Sequence, residues 1–305
     1  MSLAAIPSRE TNAASEGRRS AALLERFTPL MLLTPALAIA VVFFGLPALT
    51  MLRMSFNLHV DQRLFVPGLT FDHYGEIVSN PLFRGAVWTT IRLALIASLV
   101  TVMLGYCFAM LTWLKPRRWR LYLMGLALAP MLVSEISIIF GWWMFFPKNG
   151  LLSYALVSTG IVHEKISLMY TEFAALVGLT YLSLPFCFFI LLSVFDGIDR
   201  RLLESSADLG AGPFTAFREI LLPLTRGGVL AAFSQCFIWT MGTYATPTAL
   251  GPDALWTMGL LVQEQMLSKH NWPLASAFAM LLVAIIAMVM FVARSLSTRR
   301  IDYHD

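Results

Sequence analysis

The sequence predicts an all-α integral membrane protein with six transmembrane helices. Of its 305 residues, 58% are hydrophobic and only 13% are charged, whereas charged residues make up roughly 25% of a soluble domain. The few charges separate long apolar stretches, and each stretch exceeds the ~20 helical residues that cross a bilayer core. None of them alternates with the period of two of a membrane barrel strand. These observations exclude a water-soluble globule and a disordered chain.

The predicted spans are the stretches that carry no charge or a single charge. In chain order they cover residues 27–52, 93–114, 121–147, 173–195, 227–252 and 271–293. The third span contains the one charged residue, Glu135. The first run is far longer than the roughly 7–15 residues of a signal-peptide core, so we expect it to remain as a span. The predicted domains are an N-terminal tail at 1–26, a membrane domain at 27–294 and a C-terminal tail at 295–305.

Lysine and arginine residues orient the predicted spans, because both are enriched in the cytoplasmic loops of membrane proteins. If the N-terminus is cytoplasmic, 15 of these residues fall inside and 7 fall outside. The segments 115–120 and 200–226 carry much of the inside excess. We therefore expect a multi-pass protein of the bacterial inner membrane with both termini in the cytoplasm.

The sequence lacks the motifs of the common enzyme classes. It has no G-x-x-x-x-G-K-[ST] loop, no G-x-S-x-G, no H-E-x-x-H and no dinucleotide fingerprint. The three cysteines have no C-x-x-C spacing, and His163-Glu164 has no second histidine at metal spacing. The basic residues lie at the ends of apolar runs rather than in the patches of a nucleic-acid binder. We therefore predict no enzyme activity, no cofactor, no metal and no nucleic-acid partner.

The segment 196–226 is too long for a simple connector between spans and has the pattern of two short helices. Asp199 is predicted to cap a helix that starts at Arg200, and Gly210 is predicted to end it. Pro213 is placed at the first position of a second helix, which Pro223 is predicted to end. The alternative is an amphipathic segment lying on lipid, but such a segment would not need a break at its centre.

This segment resembles the EAA loop of permeases in binding-protein-dependent ABC importers, E-A-A-x(3)-G-x(9)-I-x-L-P. The positions that match in register are Glu204, Gly210, Ile220, Leu222 and Pro223. Ser205 and Ser206 stand where the family usually has alanine, which is a change between small residues. The stretches 242–251 and 271–273 are similar to the spermidine/putrescine branch of this family.

The resemblance implies a type I ABC importer permease fold with a cytoplasmic coupling helix. It implies a permease subunit that forms the translocation pathway for a small solute, expected to be a polyamine such as spermidine or putrescine. The implied partners are a dimer of ABC ATPases that hydrolyses ATP, a second permease that is identical or homologous, an external solute-binding protein and membrane lipid. The residues expected to couple to the ATPase are Glu204, Ser205, Ser206, Asp208, Gly210, Ile220, Leu222 and Pro223.

Glu135, Trp239 and Tyr244 are the candidates for the substrate pathway. A carboxylate at the centre of a span costs about 2.5–3.5 kcal/mol on insertion scales, so it should face protein or a water-filled cavity. There it would attract a cationic solute, and the aromatic rings would make cation–π contacts with an ammonium group. The alternative is that Glu135 lies nearer the end of a tilted span and pairs with Ser134, a backbone donor or a partner chain.

The sequence leaves three alternatives to a polyamine permease. The same permease type also suits an amino-acid derivative, a phosphonate or iron. A secondary transporter would show more ionisable residues within its spans, and usually inverted repeats. A membrane scaffold without transport activity would leave the patterned segment 196–226 unexplained.

Overall fold

The computed structural model describes residues 33–60 and 63–298, and it divides the chain into two units at Arg53–Met54. The predicted N-terminal tail and the last residues of the predicted C-terminal tail lie outside the described residues. The described residues of the first unit, 33–53, belong to the helix α1, Leu33–Met54, whose last residue is the first of the second unit. A π-turn at Val41–Gly45 interrupts α1, and its apolar side chains are exposed along its length, as expected for a helix surrounded by lipid.

The second unit is built from helices and one short hairpin. Its elements are β1 Leu58–Val60, β2 Arg63–Val66, α2 Asp72–Ser79, α3 Pro81–Leu114, α4 Arg117–Leu128, α5 Glu135–Phe145, α6 Leu151–Ser158, α7 Glu172–Asp196, α8 Arg201–Asp208, α9 Pro213–Gly242, α10 Ala245–Leu250, α11 Met258–Gln263 and α12 Trp272–Thr298. The two strands pair antiparallel. This hairpin lies between the first two predicted spans and was not predicted from the sequence.

The predicted six spans correspond to five long helices and one bent pair. Helices α1, α3, α7, α9 and α12 are each long and apolar enough to cross a membrane. The stretch 121–147 is not one helix as predicted, because α4 and α5 meet at an angle of 100°. The break follows a 3₁₀ turn that contains Pro130, after which Val133 and Ser134 have extended backbones. Since proline lacks a donor and cannot continue a helical hydrogen-bond ladder, the span breaks here.

Helices α3, α7 and α9 form the centre of the second unit. Small residues allow α3 and α7 to approach closely, since a Cβ atom added at Gly105 would lie 2.6 Å from Sγ of Cys187. This is the packing expected within a bilayer, where close backbone approach supplies the van der Waals contact. The Tyr106 hydroxyl lies 3.0 Å from Oγ1 of Thr225, which joins α3 to α9 through a buried hydrogen bond.

Two ion pairs hold the opposite ends of α7, one to α3 and the other to α4. Arg92 of α3 contacts Glu172 of α7 at 2.6 Å, and Arg120 of α4 contacts Asp196 at the other end of α7. The lysine and arginine count predicts Arg92 on the outer side and Arg120 on the cytoplasmic side.

Candidate functional site

The first candidate site is the connection between α7 and α9, which contains the short helix α8. The carboxylate of Asp199 accepts a 3.0 Å hydrogen bond from the backbone N–H of Arg201, so the predicted cap is present. Helix α8 begins at Arg201, one residue after the predicted start. Its start is held against α3, because Arg200 donates to the carbonyl of Trp113 and its guanidinium lies 5.0 Å from the centroid of the Trp113 ring.

Helix α8 ends in a Schellman motif at the predicted glycine. Gly210 has a φ of +84°, a conformation that costs little only for glycine. The N–H of Gly210 donates to the carbonyl of Ala207 at 2.9 Å, and the N–H of Ala211 donates to the carbonyl of Ser206 at 3.0 Å. These two bonds define the motif. They produce the sharp bend that the sequence predicted between two helices.

The second predicted helix is the beginning of α9 rather than a separate unit. Pro213 occupies its first turn as predicted, but Pro223 does not end it, and the helix continues to Gly242. A π-turn at Phe217–Leu221 precedes the proline, and the N–H of Leu222 donates to the carbonyl of Phe217. Within an α-helix a proline ring clashes with the carbonyl four residues earlier, and the proline has no N–H to donate to it. The wider π-turn changes the hydrogen-bond pattern before Pro223 and so accommodates the proline.

The exposed side of this connection combines negative and apolar groups. Glu204 and Asp208 are one turn apart on α8 and exposed, and within the described residues neither has an ion pair. Beside the bend, Leu209 is 89% exposed and Phe214 is 73% exposed. On the opposite side, Ser206 is buried. Such an exposed surface is typical of a docking site for another protein.

The remaining predicted coupling residues lie along the same connection. Ser205 is exposed on α8, and Leu222 and Pro223 are exposed on α9. Ile220 is partly buried within the π-turn. Leu203 and Phe217 pack against the cluster around Tyr106 of α3. The connection is therefore attached to the central helices at both of its ends.

The second candidate site is the carboxylate of Glu135 at the break between α4 and α5. Glu135 is half-buried at the first position of α5. Its Oε1 atom accepts hydrogen bonds from Oγ1 of Thr246 at 2.7 Å and from Oγ1 of Thr243 at 3.2 Å. Oε2 has no hydrogen bond within the part of the chain that the structure describes. One carboxylate oxygen is therefore held, and the other is left for a further donor.

The two threonines were not predicted as partners of Glu135. They belong to the stretch 242–251, for which the sequence indicated only a similarity to one branch of a permease family. Thr243 precedes α10 and the fully buried Thr246 lies within it. Helices α5 and α10 are also joined by the Trp143 indole, which donates to the carbonyl of Ala249 at 3.0 Å. Residues this far apart in sequence give no periodic signal of their contact. The only available signal was that a carboxylate within a membrane span needs donors, which a segment rich in hydroxyl groups can supply.

The two predicted aromatic residues, Trp239 and Tyr244, differ in their surroundings from Trp142 of α5. Trp239 and Tyr244 are 41% and 44% exposed, near the end of α9 and before α10. Trp239 lies beside Phe186 of α7, with ring centroids 5.4 Å apart. The Trp142 ring is half-buried and stacks on Phe146, with centroids 4.9 Å apart. Trp142 is thus a packing residue, whereas Trp239 and Tyr244 keep free surface.

The chain is similar to known transport proteins over most of its length. The family model described as "Binding-protein-dependent transport system inner membrane component" matches residues 102–303. The spermidine/putrescine transport system permease protein PotB of Haemophilus influenzae is 31% identical over 266 residues, which cover 86% of this chain and 92% of that protein. PotB of Escherichia coli is 29% identical over 252 residues, which cover 83% and 91%.

Solved structures of ABC transporters share the fold. A bacterial alginate ABC transporter, in complex with an alginate-bound periplasmic protein, has a chain that matches with a TM-score of 0.72 at 16% identity, and the match covers 90% of this chain and 96% of that one. The methionine transporter MetNI in inward-facing conformations matches with a TM-score of 0.55 at 20% identity, and this match covers 72% and 97%. At 16% and 20% identity, both similarities show a shared fold and nothing further.

Proposed function

The chain belongs to the family of binding-protein-dependent transport system inner membrane components, and from this premise we propose that it forms the translocation pathway for a polyamine. It is a multi-pass permease of the inner membrane with the type I ABC importer fold, and a separate ATPase hydrolyses the ATP. The observation that carries the polyamine assignment is the similarity to PotB, which extends over most of both chains.

The geometry at Glu135 supports a cationic solute. The carboxylate lies in the middle of the apolar stretch 121–147, where a charge is costly unless it faces protein or water. Its hydrogen-bond partners are neutral hydroxyls, and one of its oxygens has no partner among the described residues. An ammonium group of a polyamine would supply both the opposite charge and the missing donor. Tyr244 directly follows Thr243, a hydrogen-bond partner of Glu135. Both Tyr244 and Trp239 have exposed rings that could contact a cation.

We propose that the connection between α7 and α9 docks on the ATPase. The carboxylates of Glu204 and Asp208 would meet basic groups there, and Leu209 and Phe214 would enter an apolar groove. The Schellman bend at Gly210 holds these side chains in a fixed arrangement. Because Leu203 and Phe217 pack against α3, a displacement of α8 would be transmitted to the central helices.

The proposed assembly contains a second permease, alike or different, and an external solute-binding protein. Both termini of the present chain would lie in the cytoplasm, on the side of α8. Alternating access would follow from two packings of the spans, of which ATP binding favours one. This orientation is supported by the excess of lysine and arginine in the segments on the α8 side.

The function is tested by uptake in cells that carry the importer's ATPase, second permease and binding protein. Radiolabelled spermidine and putrescine should enter when this chain is present and should not enter when it is deleted. Restoring the chain from a plasmid should restore uptake only if the ATPase can hydrolyse ATP. Polyamine uptake that is equal with and without the chain would contradict the proposal. Uptake that survives loss of the ATPase would indicate a secondary transporter.

A further inference from the structure

A pocket lined by basic side chains lies where α3 ends and α4 begins. It encloses about 490 Å³, and its walls include Lys115, Arg117, Arg120, Leu121, Met124 and Arg200. With Pro116 the lining has seven residues, of which four are cations, and one of these, Arg120, is paired with Asp196; the pocket therefore carries a net positive charge. The enrichment of basic residues in cytoplasmic loops explains their number in this segment, but it does not require four of them to line one pocket.

Two of the four cations are held in place by other contacts. The guanidinium of Arg120 pairs with the carboxylate of Asp196 at the end of α7. The guanidinium of Arg200 donates to the carbonyl of Trp113 and lies over its ring at 5.0 Å. An arginine that is already positioned loses less side-chain entropy when it binds an anion. Arg120 and Arg200 therefore form a prearranged part of a possible anion site.

The other two cations have no anionic partner within the described residues. Lys115 and Arg117 are exposed and form no ion pair there. The backbone between the helices is extended at Lys115 and Pro116, with ψ values of 153° and 155°. This extended connection separates the two helix ends and leaves the cleft between them. A bound anion would offset the mutual repulsion of the four cations.

The surroundings of the pocket are those of a membrane interface. The apolar run 93–114 ends immediately before it, and the apolar run 121–147 begins at its edge. On α4 the rings of Trp119 and Tyr122 are exposed and 6.3 Å apart, and such aromatic residues are enriched at the level of the lipid headgroups. The apolar part of the pocket lining on α4 is Leu121, which is 61% exposed, and Met124, one turn further along the helix. An apolar wall therefore borders the cations at the start of the apolar run 121–147.

We propose that this pocket binds the headgroup phosphate of an anionic phospholipid, in the leaflet on the α8 side. The cations would hold the phosphate, as basic pockets between transmembrane helices do, and the acyl chains would lie along Leu121 and Met124, the apolar residues of α4 that line the pocket. A soluble phosphate would use the same cations but would gain nothing from the apolar wall. Since Arg200 directly precedes α8, the bound lipid would brace the junction between the spans and the docking surface.

The test is to purify the intact transporter complex and quantify the lipids that remain bound, by mass spectrometry. Phosphatidylglycerol should be enriched over its share in the bulk membrane, whereas phosphatidylethanolamine should not. The double variant Lys115→Gln/Arg117→Gln should lose this enrichment. Each basic residue near an anionic surface contributes about 1 kcal/mol, so retention should fall about fivefold for each cation removed.

The matched control is Arg118→Gln/Arg218→Gln, which removes the same charge at exposed positions on the α8 side but outside the pocket. It should retain the enrichment. An excess of inorganic phosphate during purification separates the two sources of the anion, and the lipid should survive it. The proposal is overturned by equal phosphatidylglycerol in both double variants, by no enrichment in the wild type, or by complete displacement with phosphate. Co-purification of the ATPase confirms that each variant is assembled.

Discussion

Glu135 and Thr246 are 111 positions apart in the chain, yet Oε1 of the glutamate accepts a 2.7 Å hydrogen bond from the threonine hydroxyl. This bond ties the break between α4 and α5 to the short helix α10. It also fixes one face of the carboxylate while Oε2 keeps no partner among the described residues. A cation that binds Oε2 therefore meets a carboxylate whose orientation is already set.

The first prediction concerns the charge of Glu135. Glu135→Gln keeps an oxygen that accepts from Thr246 but removes the negative charge that would attract a polyamine. Since a hydrogen bond to a charged group contributes about 1.5–3 kcal/mol, uptake at low substrate concentration should fall roughly 10- to 100-fold. The measurement is the initial rate of spermidine uptake, normalised to the amount of permease in the membrane.

Thr246 supplies the controls for this prediction. Thr246→Ser keeps the hydroxyl and should retain most of the uptake, whereas Thr246→Val removes the hydrogen bond and should lower it. All three variants should still assemble with the ATPase. Normal transport by Glu135→Gln would show that Glu135 is structural, and loss of assembly would show that its hydrogen bonds stabilise the fold.

The second prediction concerns the contact between α7 and α10. A Cβ atom added at Gly178 would lie 2.7 Å from both Cγ2 of Thr246 and Cδ1 of Leu250. Gly178→Ala should therefore push α10 away from α7 and disturb the bond to Glu135. Overpacking of this kind costs typically about 1–3 kcal/mol. We expect a lower melting temperature in detergent together with reduced uptake.

Gly125 provides the matched control on α4, because a Cβ atom there meets nothing within 4 Å. Gly125→Ala should leave the melting temperature unchanged or raise it slightly, since alanine is favoured over glycine within a helix by about 0.5–1 kcal/mol. Equal melting temperatures for Gly178→Ala and Gly125→Ala would show that α7 and α10 are not packed as described.

Local patterns in the sequence predicted the parts of the structure that depend on local chemistry. The apolar runs predicted the spans because each run must bury its backbone polar groups in a helix to cross lipid. Gly210 predicted the bend because only glycine adopts a positive φ cheaply. The cap by Asp199 follows from the same kind of short-range hydrogen bond. Each of these features needs only neighbouring residues.

Features that depend on distant contacts or on competing local structures were missed. Proline ends some helices and is tolerated within transmembrane helices; Pro130 was predicted to lie within a continuous span, and Pro223 was predicted to end a short helix. In the structure the first accompanies a 100° break, and the second follows a π-turn that lets the helix continue. The partners of Glu135 were missed because hydroxyl donors more than 100 positions away leave no periodic signal.

The third prediction concerns orientation in the membrane. Single cysteines at Ser158, at the end of α6, and at Ser297, near the end of α12, are predicted on opposite sides. An impermeant thiol reagent applied to intact cells should label Ser158→Cys and not Ser297→Cys. Both labels should appear after the membrane is permeabilised. The exposed native Cys107 is first replaced by serine, while Cys187 and Cys236 are buried. The opposite labelling pattern would invert the topology.

The fourth prediction concerns the docking of α8 on the ATPase. Gly210 has a φ of +84°, and a Cβ atom added there meets nothing within 4 Å, so a substitution acts through the backbone and not through crowding. A left-handed conformation costs about 1–2 kcal/mol for an L-residue, and more for a β-branched one. Gly210→Val should therefore open the Schellman bend and displace Glu204, Asp208 and Leu209 from their common surface.

We expect Gly210→Val and Glu204→Ala to release the ATPase or to uncouple its hydrolysis from substrate, because truncating one member of a buried charge pair costs about 2–5 kcal/mol. Gly212→Ala is the matched control, since Gly212 also has open space but a φ of −70°. The measurements are ATPase co-purification and hydrolysis stimulated by the binding protein in reconstituted vesicles. The spans should stay folded in all three variants, because Gly210, Gly212 and Glu204 are exposed. Wild-type values of both measurements for Gly210→Val would mean that α8 is not the docking element. This outcome would not bear on the polyamine assignment.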